Sequence, residues 1–80
     1  MPLAFVLVSV QIGSEREVLE ALRKVEGVEE AYVVYGAYDI VVKVKAESMD
    51  ELREIVTYKI RRLDKVRSTQ TMMVYEEVPP

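Results

Sequence analysis

The sequence predicts an α+β fold: a four-stranded antiparallel sheet with two helices packed on one of its faces. Three observations predict it. Each half of the 80-residue chain runs from a β-rich stretch through a helical stretch to a second β-rich stretch. Both helical stretches open on the same signal, Ser14 with Glu17 and Ser48 with Glu51, and each strand that follows opens on a valine, Val28 and Val66. The halves are joined by a short turn at Gly36, which makes the two middle strands an antiparallel hairpin.

Residues 3–12, "LAFVLVSVQI", form the first strand, rich in β-branched residues. One side of it (Ala4, Val6, Val8, Val10, Ile12) is apolar throughout, while the other runs from Phe5 and Leu7 to Ser9 and Gln11. Gly13 breaks the strand. In "SEREVLEALRKVEG" Ser14 and Glu17 fit a capping box, each side chain satisfying a free backbone N–H at the helix start. Val18, Leu22 and Val25, with Leu19 beside them, make the buried stripe. Arg23 and Lys24 suit the negative end of that helix, and Gly27 is placed to stop it.

Residues 28–35 form the second strand and residues 39–46, "DIVVKVKA", the third. "SMDELREIVTYKIRRL" repeats the helix signal, with Leu52, Ile55, Val56, Ile60 and Leu63 as its stripe and Arg61 and Arg62 at its end. Residues 66–77 form the last strand, and Val78, Pro79 and Pro80 a frayed end.

This order is the split βαβ, ferredoxin-like pattern, with strands one and three in the centre of the sheet. Strand four carries Arg67, Ser68, Thr69, Gln70 and Thr71, a polar set suited to an edge. Helices cover one face only. The other is expected to present Phe5, Leu7 and Val41, with some of Val33, Tyr35, Met73 and Tyr75. Burial is worth roughly 25 cal/mol per Å² of apolar area, so a second copy is expected to cover this face. Scattered apolar groups on a half-wet sheet are the plainer reading.

Composition narrows the function. Half the residues are hydrophobic and 31% are charged, a globular balance for one domain. There is no Cys and no His, which removes thiol chemistry, the commonest general base and most zinc sites. A net charge of −3 gives no broad basic footprint for nucleic acid. The basic pairs Arg61–Arg62 and Lys43 with Lys45 read as a helix-end complement and a solvated sheet edge. No cofactor or metal site is expected, nor a membrane span or secretory signal, and the expected location is cytoplasmic. Asn and Trp are also missing and Glu, Lys and Arg dominate the charge, a bias seen in thermophile proteins.

The remaining candidate chemistry lies in "VVYGAYDIVVKV" and "VRSTQTMMVYE". A glycine turn exposes backbone N–H and C=O groups, Asp39 can pair with an ammonium, and the Tyr38 ring can wall a site. Ser68, Thr69 and Thr71 add hydroxyls on an edge strand. Together these suit an α-amino acid. The structural alternative stays open at each position: Gly36 as a plain turn glycine, Tyr38 as cover for a strand end, Asp39 as an acceptor of turn N–H bonds, and the threonines as strand formers.

These two stretches, in their order and spacing, resemble the C-terminal effector domain of the leucine-responsive regulatory protein/AsnC family, the RAM domain. Gly36, Tyr38, Asp39, Val66, Thr69 and Thr71 match its pattern residue by residue, and the likeness covers nearly the whole chain. The resemblance implies dimers paired through their sheets, assembling further into octameric rings or related discs. It implies an amino acid effector in clefts between dimers, held by Gly36, Ala37, Tyr38 and Asp39 with Ser68, Thr69 and Thr71 contributing. Ala37 stands where an acid is frequent in the family, which leaves ligand choice open. Family regulators begin with a DNA-binding helix-turn-helix domain, whereas residues 1–80 read as a single effector domain. A stand-alone sensor acting through full-length family regulators, without touching DNA itself, is therefore expected. Two other readings are carried forward: a purely structural oligomerisation module without ligand, and a small dimeric αβ-barrel enzyme. The missing His and Cys count against the enzyme.

Overall fold

The computed structural model describes residues 1–79. Its elements are β1 (Leu3–Val10), α1 (Glu15–Arg23), β2 (Val28–Val33), β3 (Ile40–Lys45), α2 (Met49–Glu54) and β4 (Val66–Met73). α2 runs on as a π-helical segment, Ile55–Ile60. The sheet order is β2-β3-β1-β4 and every neighbouring pair is antiparallel. The expected ferredoxin-like fold is present, with β1 and β3 central and β4 at an edge.

Strand alternation builds the core. Ala4, Val6 and Val8 of β1 pair with Val44, Val42 and Ile40 of β3, so these side chains share one face, and all are fully buried. Val18 and Leu22 of α1 and Leu52, Ile55, Val56 and Ile60 of the second helix pack on them. Each such aliphatic side chain contributes about 1.5–3 kcal/mol by leaving water.

The other face carries Phe5, Leu7 and Val41, all half-buried, as expected. The pairing adds Tyr32 of β2 opposite Val41 and Met72 of β4 opposite Phe5, both exposed. Val33 and Met73 prove to lie on the helix side, opposite Ile40 and Ala4. Tyr35 and Tyr75 lie beyond the strands and are almost fully exposed.

Four local expectations need correction. β1 ends at Val10, where its register against β4 shifts, and Ile12 stands 95% exposed in the turn that follows instead of extending the apolar face. Ser14 makes no side-chain cap: its ψ of 11° is not the extended cap conformation, and Glu17 reaches Lys65 instead. Gly27 does not stop α1, which ends four residues earlier. Its φ of 102° and its tight approach to Ile55 and the Lys45 carbonyl are what require glycine there. β4 ends at Met73 and not at Glu77. The second capping signal does work: Ser48 Oγ accepts the Glu51 N–H, and Glu51 returns a carboxylate oxygen to the Glu47 N–H.

Candidate functional site

The turn between β2 and β3 is held from both ends by backbone bonds. Val34 N–H donates to the Asp39 carbonyl and Asp39 N–H donates to the Val8 carbonyl, both at 2.9 Å. The Asp39 side chain adds a third tie: Oδ2 accepts the Val10 N–H at 2.9 Å. That donor lies just beyond the last β1–β3 pair, Val8 with Ile40, so the carboxylate satisfies an N–H that the ladder leaves open at its end. One oxygen of Asp39 is thereby committed to the fold.

Tyr38 provides the fourth tie. Its hydroxyl donates to Gln70 Oε1 at 3.1 Å, joining the turn to β4 across β1. Gln70 lies opposite Leu7, on the bare face of the sheet. In sequence Gln70 reads only as a polar edge residue. Its place in the alternation, two residues from Met72 and Ser68, was the available signal.

Gly36 and Ala37 project beyond these ties and are exposed. Their backbone N–H groups make no hydrogen bond among the described residues. A Cβ added at Gly36 would meet no atom within 4 Å, so nothing in this chain crowds the space before it. The turn therefore offers two unengaged backbone donors beside a carboxylate with one oxygen to spare. That set can hold a carboxylate and an ammonium on neighbouring points.

The three hydroxyl candidates of β4 do not converge. Ser68 pairs with Ser9 on the bare face, whereas Thr69 and Thr71 pair with Val8 and Val6 on the helix face. Within one chain, Ser68 shares a face with Gln70 and Tyr38's anchor, and the two threonines look to the other side.

A polar network marks the far margin of the bare face. Tyr32 donates its hydroxyl to Glu30 Oε1 at 2.7 Å, and Lys43 lies 3.7 Å from the other carboxylate oxygen. The Tyr32 hydrogen bond first, then the Lys43 charge, hold the Glu30 carboxyl below its usual range. The same bond pushes the Tyr32 phenol up. Among the described residues no cluster of three metal-ligating groups exists, and no helix is long and apolar enough to cross a membrane.

The sequence profile described as the Lrp/AsnC ligand binding domain matches residues 3–80. An uncharacterized HTH-type transcriptional regulator of Pyrococcus furiosus is 37% identical over 75 residues, 90% of this chain and 50% of that protein. The chain thus spans about half the length of the curated relatives it matches. A hypothetical protein of Pyrococcus horikoshii has a solved structure that is 43% identical, with a TM-score of 0.88 over 96% of this chain and 93% of that one. A transcriptional regulator of Neisseria meningitidis, solved as a complex with L-Met, shares the fold with a TM-score of 0.86 at 21% identity, over 99% of this chain and 53% of that one. The curated relatives are regulators and not enzymes.

Proposed function

The chain belongs to the Lrp/AsnC ligand-binding domain family, and from that membership we propose that it is a sensing domain that binds a small amino acid effector and passes the signal on through assembly. The observation that carries this is the turn: Asp39 is locked against Val10 with one carboxylate oxygen left, beside the unengaged N–H groups of Gly36 and Ala37. The spare carboxylate oxygen takes the effector's ammonium and the backbone donors take its carboxylate. Ser68, Thr69 and Thr71 belong to the site only if copies combine, because their side chains leave β4 in opposite directions. That division supports a cleft between copies over a pocket within one.

The bare face supplies the first of these contacts. Phe5, Leu7, Val41, Tyr32 and Met72 form one apolar patch, and face-to-face pairing buries it. Larger rings are built from such dimers. That relatives are transcriptional regulators supports a reading in which the domain acts in the cytoplasm, on full-length regulators of the same family and without itself touching nucleic acid.

Light scattering of the purified chain, alone and with each of the twenty amino acids, tests the reading. It expects an assembly whose mass Leu7→Lys lowers by removing sheet-face pairing, and whose mass one or a few amino acids change. A monomer in every condition would overturn the assembly.

A further inference from the structure

A trench runs along the opposite, helix-bearing side of β4. Between β4 and the second helix lies an apolar groove of about 520 Å³, lined by Leu52, Val56, Thr57, Thr71 and Met73, with Arg61 on its rim. Arg61 also lines a smaller polar hollow of about 280 Å³ with Arg67, Ser68 and Thr69. Thr69, Thr71 and Met73 are alternate residues on the helix face of β4, so the two hollows are successive stretches of one trench.

The π-helical winding shapes it. Arg61 N–H donates to the Val56 carbonyl, five residues back, at 2.9 Å. In an α-helix residues five apart stand roughly 140° apart around the axis. The wider winding turns them toward one side, and Val56 and Arg61 both line the groove. The result is an apolar floor beneath a cation. Among the described residues neither Arg61 nor Arg67 makes an ion pair, in a chain whose net charge is −3.

One segment of the chain has the matching chemistry. After β4, the apolar pair Val74 and Tyr75 is followed by the acidic pair Glu76 and Glu77 and then by Val78; Tyr75 is 97% exposed and Val78 80%. Neither glutamate is ion-paired among the described residues. Val74 N–H donates to the Leu3 carbonyl at 2.9 Å, which carries the segment onward past the Met73 end of its own trench. Six extended residues reach about 20 Å, about three-quarters of the length of the eight-residue β4. β4 is also a sheet edge, able to pair with an added strand.

We propose that the C-terminal segment of a second copy lies in this trench, with apolar side chains in the Leu52–Val56–Met73 groove and Glu76 and Glu77 on Arg61 and Arg67. The contact is separate from sheet-face pairing and needs no amino acid.

The chain has no cysteine, so engineered pairs report it cleanly. Thr57→Cys and Val78→Cys chains are mixed under mild oxidation, with Leu7→Lys present in both so that sheet-face pairing does not contribute. A disulfide between the two variants is expected. Arg61→Glu in the Thr57→Cys chain should lower its yield about tenfold, and Glu76→Arg with Glu77→Arg in the partner should restore it. A labelled peptide of residues 74–80 should bind the unsubstituted chain saturably, and about tenfold more weakly after Arg61→Gln. Cross-links only between Val78→Cys chains, a yield indifferent to Arg61→Glu, or no saturable peptide binding would each overturn the proposal.

Discussion

The Asp39 carboxylate accepts the Val10 backbone N–H at 2.9 Å, across 29 residues of sequence. With the Asp39 N–H bond to the Val8 carbonyl it fixes the β2–β3 turn to the end of the central strand, and it gives the Asp39 side chain a structural task beside any ligand contact. Two substitutions separate the tasks. Asp39→Ala leaves a part-buried N–H without a partner and should cost about 1–2 kcal/mol in chemical denaturation. Asp39→Asn keeps an acceptor oxygen and should cost clearly less, while removing the charge that an ammonium needs.

The Tyr38–Gln70 bond is exposed, so its stability contribution is small. Tyr38→Phe should change the unfolding free energy by less than about 1 kcal/mol. Its effect should appear in the turn, as faster amide exchange at Val34 and Asp39, whose N–H groups tie it, measured by NMR. Unchanged exchange would mean that the backbone ties alone hold the turn.

Gly27 is the glycine the packing demands. A Cβ there would lie 2.7 Å from Ile55 Cδ1 and 3.1 Å from the Lys45 carbonyl oxygen, at a φ of 102°. Gly27→Ala should destabilise by about 1–3 kcal/mol, read from a denaturant midpoint. At Gly36 no atom of the chain opposes a side chain, so whatever loss of ligand binding a substitution brings there is not a matter of packing.

The Glu30–Tyr32 pair sets a pH dependence of definite sign. Glu30 titrates below its usual value in the folded chain, so its contribution is present above the unfolded pKa and is lost as pH falls through the folded one. Tyr32 titrates above its usual value, so its contribution holds below the unfolded pKa and is lost as pH rises through the folded one. Tyr32→Phe removes the first cause of the Glu30 shift and should raise the Glu30 pKa toward its ordinary value, followed by the carboxyl carbon resonance. A Glu30 titration unmoved by Tyr32→Phe would assign the shift to Lys43.

Much of this was legible in the sequence, for a physical reason: period-two alternation in β1 and β3 and the 3.6-residue stripes of Val18 and Leu22 and of Leu52 and Val56 leave one arrangement that buries them all. What escaped depended on single-residue shifts. Ile12 continues the alternation of β1 in sequence, yet the register shift at Val10 ends the strand before it. Met72 and Met73 are chemically alike, and only the pairing of β4 decides which faces the helices. Ser68 and Thr69 sit side by side, so alternation alone puts them on opposite faces of the strand, and only the pairing with Ser9 and Val8 says which of them faces the helices. The π winding after Glu54 also left no clear periodicity signal, since its buried residues Ile55, Val56 and Ile60 include a pair, Val56 and Ile60, at the four-residue step of an α-helix.

An amino acid effector held at the turn is the central proposal. Isothermal titration of the twenty amino acids into the chain, repeated with Asp39→Asn, tests it most directly. The expected result is saturable binding of one or a few amino acids, lost in Asp39→Asn while the unfolding midpoint stays close to that of the unsubstituted chain. Silence across the panel from an assembled protein, or binding that survives the loss of the Asp39 charge, would contradict it and leave a structural assembly domain or a site elsewhere in the fold.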